Sequence, residues 1–145
     1  MKKKAEYQMT SSVNEGILEI IITGKVTSDD TEKIMNKIIA VRKSINTKHE
    51  LIDIRTLKGR LGISETYDFV RKLPSDRLTM NIAFVDIVEY AEYNLFYQAT
   101  TLNAGLSWKW FTDIDAARAW LKSNLRRVNT DTLQHYSLSI RNPQF

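Results

Sequence analysis

The sequence predicts an α/β protein: a mixed β-sheet that opens with an N-terminal hairpin and continues with alternating strands and helices packed on the sheet. Three observations support this fold class. Two β-rich segments at the start are joined by turn residues, and the later apolar segments are separated by helix-length stretches. The chain has 145 residues, 43% of them hydrophobic, which is enough for one core. Strands joined by such crossovers lie parallel in one sheet.

The first elements are a hairpin and a helix. Residues 7–13 alternate loosely between polar and apolar, and residues 17–23 form a β-branched run. Turn residues Asn14-Glu15-Gly16 separate the two, so an antiparallel hairpin with a buried second strand is expected. Thr27 precedes Asp30 at capping-box spacing, which predicts a helix over residues 28–45.

The middle of the chain predicts strand, loop, helix and strand. Residues 51–54 are a short apolar strand, and residues 58–62 form a loop with two glycines. A second, weaker helix is expected over residues 64–73, because Pro74 ends it. The run 80–85 is again typical of a strand.

The last part predicts a third helix over residues 87–103, with Gly105 as its C-terminal cap. A strand over residues 106–111 follows, with Trp108 and Trp110 on the same side. A fourth helix begins at residues 112–115. The side chains expected to face the core are Ala91, Leu95, Ala99 and Leu102 on the third helix, and Ala116, Ala117, Trp120 and Leu121 on the fourth.

The domain is predicted to span residues 1–125, with a C-terminal extension over residues 126–145. Residues 136–140 alternate well enough to form an added edge strand. Such a strand could pair with the chain's own sheet edge or with a partner's edge, which would give a homodimer through the tail.

Composition excludes several classes of protein. No cysteine is present, so disulfide scaffolds and thiolate metal sites are ruled out. The formal charge is +4, and three of the positive charges are Lys2, Lys3 and Lys4 near the N-terminus. Residues 5–8 are not an apolar signal sequence, and no run is long enough to span a membrane. We therefore expect a cytoplasmic protein that is not an integral membrane protein.

Two segments carry a resemblance to a known family. Ile82-Ala83-Phe84-Val85 precedes a long helix, and Trp110-Phe111-Thr112-Asp113 leads into Ala116-Ala117-Arg118-Ala119-Trp120-Leu121. Together with the order of elements, over roughly residues 7–122, they resemble the SpoIIAA-like branch of the STAS (sulfate transporter and anti-sigma-factor antagonist) superfamily. The resemblance implies a small non-catalytic regulatory module with a protein partner, such as a serine kinase or anti-sigma-type regulator. Some relatives share distant similarity with lipid-binding folds of the Sec14 type.

The resemblance also implies a phosphorylation switch. In anti-sigma-factor antagonists the modified serine or threonine lies in an Asp-Ser-Ser-Gly-like turn at the start of a helix. Here that region contains Ser64 and Thr66, which are the candidate phosphorylation sites, but the Asp-Ser-Ser-Gly pattern is missing. A phosphate on Ser64 would meet free N–H groups of a helix N-terminus. The alternative is that Ser64 only caps the helix.

The loop before this helix is a candidate partner-binding or anion-binding site, formed by Lys58, Gly59, Arg60 and Gly62. Gly-x-x-Gly is also the form of the loop by which KH domains clamp nucleic acid. In KH domains the loop joins two helices, whereas here it follows a strand, so nucleic-acid binding is disfavoured. A small anion or lipid headgroup at the open end of the sheet stays open as an alternative.

The third helix carries more rings than one core-facing stripe can hide: Tyr90, Tyr93, Phe96 and Tyr97. They are the candidate surface for a partner or an apolar ligand. The alternative is that they cover the sheet edge or pack under the tail.

No catalytic, metal or cofactor site is predicted. His49 and His135 have no ligands at metal-binding spacing, and neither Asp53 nor Asp86, at strand ends, has a recognisable catalytic partner. The sequence therefore predicts a non-catalytic STAS-like regulatory interaction module without cofactors, with phosphorylation near Ser64. The alternative function is a carrier or sensor of a lipid or small apolar ligand.

Overall fold

The structure is a computed structural model, and it describes residues 6–60, 62–73 and 79–125. Six strands form one sheet: β1 (Tyr7–Asn14), β2 (Ile17–Lys25), β3 (His49–Asp53), β4 (Leu57–Lys58), β5 (Asn81–Val85) and β6 (Ser107–Phe111). The helices are α1 (Ser28–Ile45), α2 (Ile63–Arg71), α3 (Ala91–Asn103) and α4 (residues 114–125). The predicted order of elements is confirmed, with β4 as an addition.

The sheet has the strand order β1-β2-β3-β5-β6, and β4 pairs with the end of β2. The hairpin β1–β2 is antiparallel, and every other pair is parallel. Ile20 lies opposite Ile52, and Ile82 lies opposite Trp108. The carboxyl ends of β2, β3, β5 and β6 therefore meet at one edge of the sheet, which we call the carboxyl edge.

Each face of the sheet has its own core. On one face, Ile34 and Ile38 of α1 and Tyr97 of α3 belong to the same buried cluster as Ile20 and Trp108. On the other face, Ala117 and Leu121 of α4 pack against strand residues that include Leu51. Trp120 is half-buried beside this second core. Ala116 was also predicted to face the core, but it is exposed.

The start of α1 is built as the capping-box spacing predicts. The backbone N–H of Thr27 donates to Asp30 Oδ2 at 3.0 Å, and the Thr27 hydroxyl donates to the same oxygen at 2.9 Å. The helix ends at Asn46, which has a left-handed backbone with φ of 52°. Both boundaries of α1 match the sequence prediction because local hydrogen bonds define them.

The third helix differs from the prediction in two respects. A 3-10 turn over Val88–Tyr90 precedes it, so the α-helix proper starts at Ala91. The predicted core stripe is also wrong: Leu95 is 67% exposed and Leu102 is 69% exposed. The buried face instead carries Asn94, Tyr97 and Thr101.

The physical reason lies in the partners of that buried face. The Tyr97 ring packs 4.7 Å from the ring of Trp110, so it buries more surface than a leucine would. The amide nitrogen of Asn94 donates to Asp86 at 3.0 Å, and the Thr101 hydroxyl donates to the Gln98 carbonyl at 2.9 Å. Polar side chains with such partners can face a core.

Two predictions lie at or beyond the limits of the described part. Pro74 and the C-terminal extension, including the expected strand over residues 136–140, are outside the described residues.

Within residues 6–60, 62–73 and 79–125, no helix combines the length and the apolar character needed to cross a membrane.

Candidate functional site

A buried ion pair organises the carboxyl edge. Asp86 follows β5 directly and is almost fully buried, and its carboxylate pairs with the guanidinium of Arg60. Arg60 Nε donates to Asp86 Oδ2 at 3.1 Å, and Arg60 Nη2 donates to Oδ1. The backbone N–H of Ile87 and the amide of Asn94 also donate to this carboxylate, at 2.8 and 3.0 Å. The charge of Asp86 is therefore fully matched by donors.

The remaining donors of Arg60 hold the connection between β3 and α2. Its guanidinium donates to the carbonyl oxygens of Ile54, Leu57 and Gly59 at 3.1, 2.8 and 2.6 Å. Its Cζ lies 4.1 Å from the ring centroid of Tyr90. This geometry argues against the prediction that Arg60 binds an anion, because its charge is buried and already neutralised by Asp86.

The other three residues of the predicted binding loop, Lys58, Gly59 and Gly62, are exposed. Lys58 belongs to the two-residue strand β4, which the sequence analysis assigned to a loop. Gly59 has a left-handed backbone, with φ of 80° and nothing near the position a side chain would take. Gly62 is the residue before the first turn of α2. These three positions form an open strand-to-helix connection.

The two predicted phosphorylation residues have opposite environments. Ser64 is exposed in the first turn of α2. It does not cap the helix, because Gly62 occupies the capping position. Thr66 is fully buried, and its hydroxyl is 3.1 Å from the hydroxyl of Tyr93. Burial argues against Thr66 as a kinase substrate, whereas the exposed Ser64 is accessible to modification.

Most rings of the aromatic set are packed rather than exposed. Tyr97 is buried, Tyr93 is half-buried beside α2, and Tyr90 covers Arg60. The Tyr93 and Tyr97 rings meet edge to face with centroids 6.0 Å apart. Burial raises the pKa of both hydroxyl groups. Phe96 alone among the four is exposed.

Two exposed apolar features were missed by sequence reasoning. The outer side of α3 carries Leu95 and Leu102, separated by two turns. On α2, Tyr67 is 51% exposed, with the Arg71 guanidinium 5.4 Å from its ring. Helical periodicity alone cannot show which of two apolar faces meets the sheet.

A cavity of about 330 Å³ lies between the sheet and helices α1, α2 and α3. Its walls are mainly aliphatic and aromatic side chains, and its described charged members are Arg60 and Glu65. Aromatic walls come from Phe69, Phe84, Tyr93, Tyr97, Trp108 and Trp110. Phe84 and Trp110 stack with centroids 4.5 Å apart and planes 8° from parallel. The inner faces of Tyr93 and Tyr97 thus line this cavity rather than an external patch.

The second strand-end carboxylate is also paired. Arg55 Nε and Nη2 donate to the two oxygens of Asp53 at 3.0 and 2.8 Å. Burial raises the pKa of Asp53, but the hydrogen bonds and charge of Arg55 outweigh it, so that the pKa lies below its usual value. Asp53 and Asp86 are therefore each bound by a separate arginine, an arrangement suited to structure rather than proton transfer.

The described residues include no group of three or more histidine, aspartate or glutamate side chains placed to hold a metal ion. His49 is half-buried at the start of β3, with its Nδ1 3.4 Å from the amide nitrogen of Asn81. Burial and the positive charge of Lys48 lower the pKa of His49. The imidazole is therefore neutral in the fold at pH 7.

The depressed pKa of His49 predicts a pH-dependent stability. The unfolded chain, with a histidine pKa of about 6.5, takes up this proton first as the pH falls. The contribution of His49 is fully present above about pH 6.5 and is lost as the pH falls toward the folded pKa. Urea unfolding at pH 7.5, 6.5 and 5.5 should show a falling free energy of unfolding. His49→Gln should flatten this trend, and an unchanged slope in that variant would assign the effect elsewhere.

Several solved structures resemble this chain, and two of them are described here. An anti-sigma factor antagonist from Mycobacterium paratuberculosis matches with a TM-score of 0.55 and 14% identity, over 80% of this chain and 94% of that chain. An uncharacterized DUF3478-family protein with a SpoIIAA-like fold, from Shewanella loihica, matches with a TM-score of 0.55 and 20% identity, over 83% and 98%. No family model and no curated protein matches the chain.

These similarities confirm the predicted fold. The chain has a SpoIIAA-like fold, with an opening hairpin and alternating helices and strands. At 14% and 20% identity the likeness establishes the architecture alone. The features of this chain that bear on its function are its exposed surfaces and its cavity.

Proposed function

We propose that this chain is a cytoplasmic, non-catalytic regulatory module that binds a protein partner through one end of α2, and that phosphorylation of Ser64 controls this binding. The binding surface, which we call the α2 surface, comprises Lys58, Gly59, Gly62, Ser64 and Tyr67. The fold shared with an anti-sigma factor antagonist supports a regulatory role. A serine kinase or anti-sigma-type regulator is the partner we propose.

The observation that carries the proposal is the joint exposure of Ser64 and Tyr67. Ser64 lies in the first turn of α2, and Tyr67 follows three residues later on the same side of the helix. An exposed tyrosine offers a rigid apolar ring with a polar end, the kind of side chain that dominates binding energy at interfaces. A modifiable hydroxyl beside such a ring places the switch within the contact area.

The electrostatics of α2 suit a phosphate at Ser64. The first backbone N–H groups of a helix have no partner within it, and its dipole favours negative charge there. Exposed Lys58 precedes this turn, whereas Glu65 lies in it. Phosphorylation would thus add about two negative charges to a surface of mixed sign and change its complementarity to a partner.

The non-catalytic part of the proposal is supported by both strand-end carboxylates. Asp53 and Asp86 lie where α/β enzymes often place reactive groups, but each is bound by an arginine in two hydrogen bonds. Carboxylates held in this way are poor general bases.

Phosphorylation is tested with the full chain, lysate of its host and ATP, followed by mapping of modified sites by mass spectrometry. We expect phosphate on Ser64. Ser28 is the matched control, since it is an exposed serine in the first turn of α1. Phosphate on Ser28 to the same extent, or none on Ser64, would reject a specific switch while leaving the docking role in place.

Partner binding is tested by replacing the exposed ring. Tyr67→Ala should weaken binding of the partner kinase or regulator about thirtyfold, because interface hot spots cost about 2 kcal/mol or more on truncation. Leu102→Ala, which truncates an exposed apolar side chain on α3, should leave the affinity unchanged. Titration calorimetry with the purified partner measures both. Equal losses in the two variants, or none in Tyr67→Ala, would contradict docking through the α2 surface.

The C-terminal extension supplies a further partner proposal, a second copy of this chain. Within the described residues β6 pairs only with β5, so its outer edge offers backbone hydrogen-bonding groups to an added strand. The alternating residues 136–140 suit that position by their sequence. Light scattering of a chain ending at Leu125 shows whether the tail holds two subunits together.

A second candidate function is the carriage or sensing of a small apolar ligand. One observation favours it, the 330 Å³ cavity with its aromatic walls. Ligand sites in proteins are mostly apolar concavities of about 300–1,000 Å³ with a few polar groups. The residues that line this cavity indicate which class of small molecule it would bind.

A further inference from the structure

The cavity is too large to be a packing defect. Protein cores leave few voids larger than a water molecule, whereas this space measures about 330 Å³. At roughly 30 Å³ for each water-sized group, it holds about ten non-hydrogen atoms. It is not fully enclosed, and its lining includes Thr31 of α1 and Glu65 of α2. A small molecule can therefore enter without unfolding the core.

Two buried polar atoms of wall residues have no hydrogen-bond partner among the described residues. Asn94 is 6% exposed, and its Oδ1 accepts no hydrogen bond, while its nitrogen is committed to Asp86. The carboxylate of Asp86 fixes this amide orientation, because only the nitrogen can donate to it. Trp108 is also 6% exposed, and its Nε1 donates to nothing. Buried polar groups in native proteins almost always have partners, so both atoms point to a missing group.

The charges around the cavity select a neutral molecule. Among the described lining residues the charged side chains are Arg60 and Glu65. Arg60 is neutralised by Asp86, and Glu65 in the wall would repel an anion. A carboxylate or phosphate would find no unpaired cation among the described walls. A hydroxyl group fits better, since it donates one hydrogen bond and accepts others without charge.

We propose that this cavity binds a neutral, largely apolar alcohol of about ten non-hydrogen atoms, whose hydroxyl group donates a hydrogen bond to Asn94 Oδ1. The hydroxyl oxygen is also the type of acceptor that Trp108 Nε1 lacks. The aromatic walls, including the stacked Phe84 and Trp110, enclose the hydrocarbon part. This inference rests on the second candidate function, ligand carriage, and is independent of docking through the α2 surface.

The test compares three probes of similar size on the full chain: 1-decanol, methyl nonyl ether and decanoate, each kept below the concentration at which it aggregates. Binding is followed by tryptophan fluorescence, since Trp108 and Trp110 line the cavity, and by the melting temperature. We expect saturable binding of 1-decanol. Methyl nonyl ether can accept a hydrogen bond but cannot donate one, and the carboxylate of decanoate is repelled by Glu65. Both probes should therefore bind at least about tenfold more weakly than 1-decanol.

Two variants locate the site. Leu57→Phe enlarges a half-buried wall residue and should abolish 1-decanol binding, whereas Leu102→Phe makes the same change on the exposed side of α3 and should not. Asn94→Leu should remove the preference for 1-decanol over the ether. Because the comparison of probes on the unmodified chain needs no variant, a folding defect in Leu57→Phe or Asn94→Leu leaves the inference testable.

The outcomes distinguish failure of the hydroxyl inference alone from failure of ligand carriage as well. Equal binding of alcohol and ether, or tighter binding of decanoate, would overturn the inference but support carriage of an apolar ligand. Binding of 1-decanol by folded Leu57→Phe with unchanged affinity would place the ligand outside the cavity and overturn the inference. No saturable binding of any probe would overturn both and leave water as the occupant.

Discussion

Replacing Arg60 by Met should lower the free energy of unfolding by about 3–5 kcal/mol, because the buried carboxylate of Asp86 then loses its counter-charge. Asp86 is almost fully buried, so water cannot take the place of the guanidinium. The same replacement removes hydrogen bonds to three backbone carbonyls of the segment between β3 and α2. Urea unfolding followed by tryptophan fluorescence measures the loss.

Lys122→Met is the control for this prediction. Lys122 Nζ lies 2.7 Å from Glu15 Oε2, but both side chains are substantially exposed. Exposed ion pairs are worth at most about 1 kcal/mol, so this variant should change little. The double variant Arg60→Met with Asp86→Asn should recover part of the loss, since it removes the stranded charge. A loss in Arg60→Met no larger than in Lys122→Met would contradict the assigned role of the pair.

Replacing Arg42 by Met should lower the free energy of unfolding by an amount similar to that expected for Arg60→Met. Arg42 on α1 lies over Glu50 of β3, with Nε 3.6 Å from Oε1, and Glu50 is fully buried. Without the arginine, the buried Glu50 carboxylate loses this counter-charge between α1 and the sheet. The expected loss in the free energy of unfolding is again about 3–5 kcal/mol.

A paired replacement distinguishes a stranded charge from lost packing. Arg42→Met together with Glu50→Met replaces the ion pair by apolar side chains, and such exchanges are often neutral or stabilising by about 1–4 kcal/mol. We therefore expect the double variant to unfold at or above the urea midpoint of the unmodified chain. If the double variant is as unstable as Arg42→Met alone, the loss arises from packing of the arginine stem and not from Glu50.

The elements that the sequence predicted well are those with local causes. The capping box of Thr27 and Asp30 lies within four residues, and the β-branched run of β2 needs no distant partner to favour a strand. The parallel order of the later strands follows from helix-length connections. By contrast, β4 is only two residues long and exists because it pairs with the end of β2, which local pattern does not show.

The candidate site was predicted poorly, because its contacts join distant parts of the chain. Arg60 and Asp86 are 26 residues apart, and only the sheet brings them together. In the sequence Arg60 is indistinguishable from an exposed phosphate-binding residue. The buried face of α3 was mispredicted for a similar reason. Asn94 faces the core because its amide nitrogen donates a hydrogen bond to the carboxylate of Asp86. The aliphatic side chains that periodicity favoured for the core face outward. The cavity depends on side-chain shapes from three helices, which a linear pattern does not contain.

The partnership between Arg60 and Asp86 also bears on how such a chain can diverge. A lineage that loses the guanidinium but keeps the carboxylate would pass through a poorly folding ancestor, and the reverse change would leave a cation buried without compensation. Positions 60 and 86 should therefore be replaced in concert among distant homologues. Drift at the neighbouring Lys58, whose side chain is exposed, carries no such constraint.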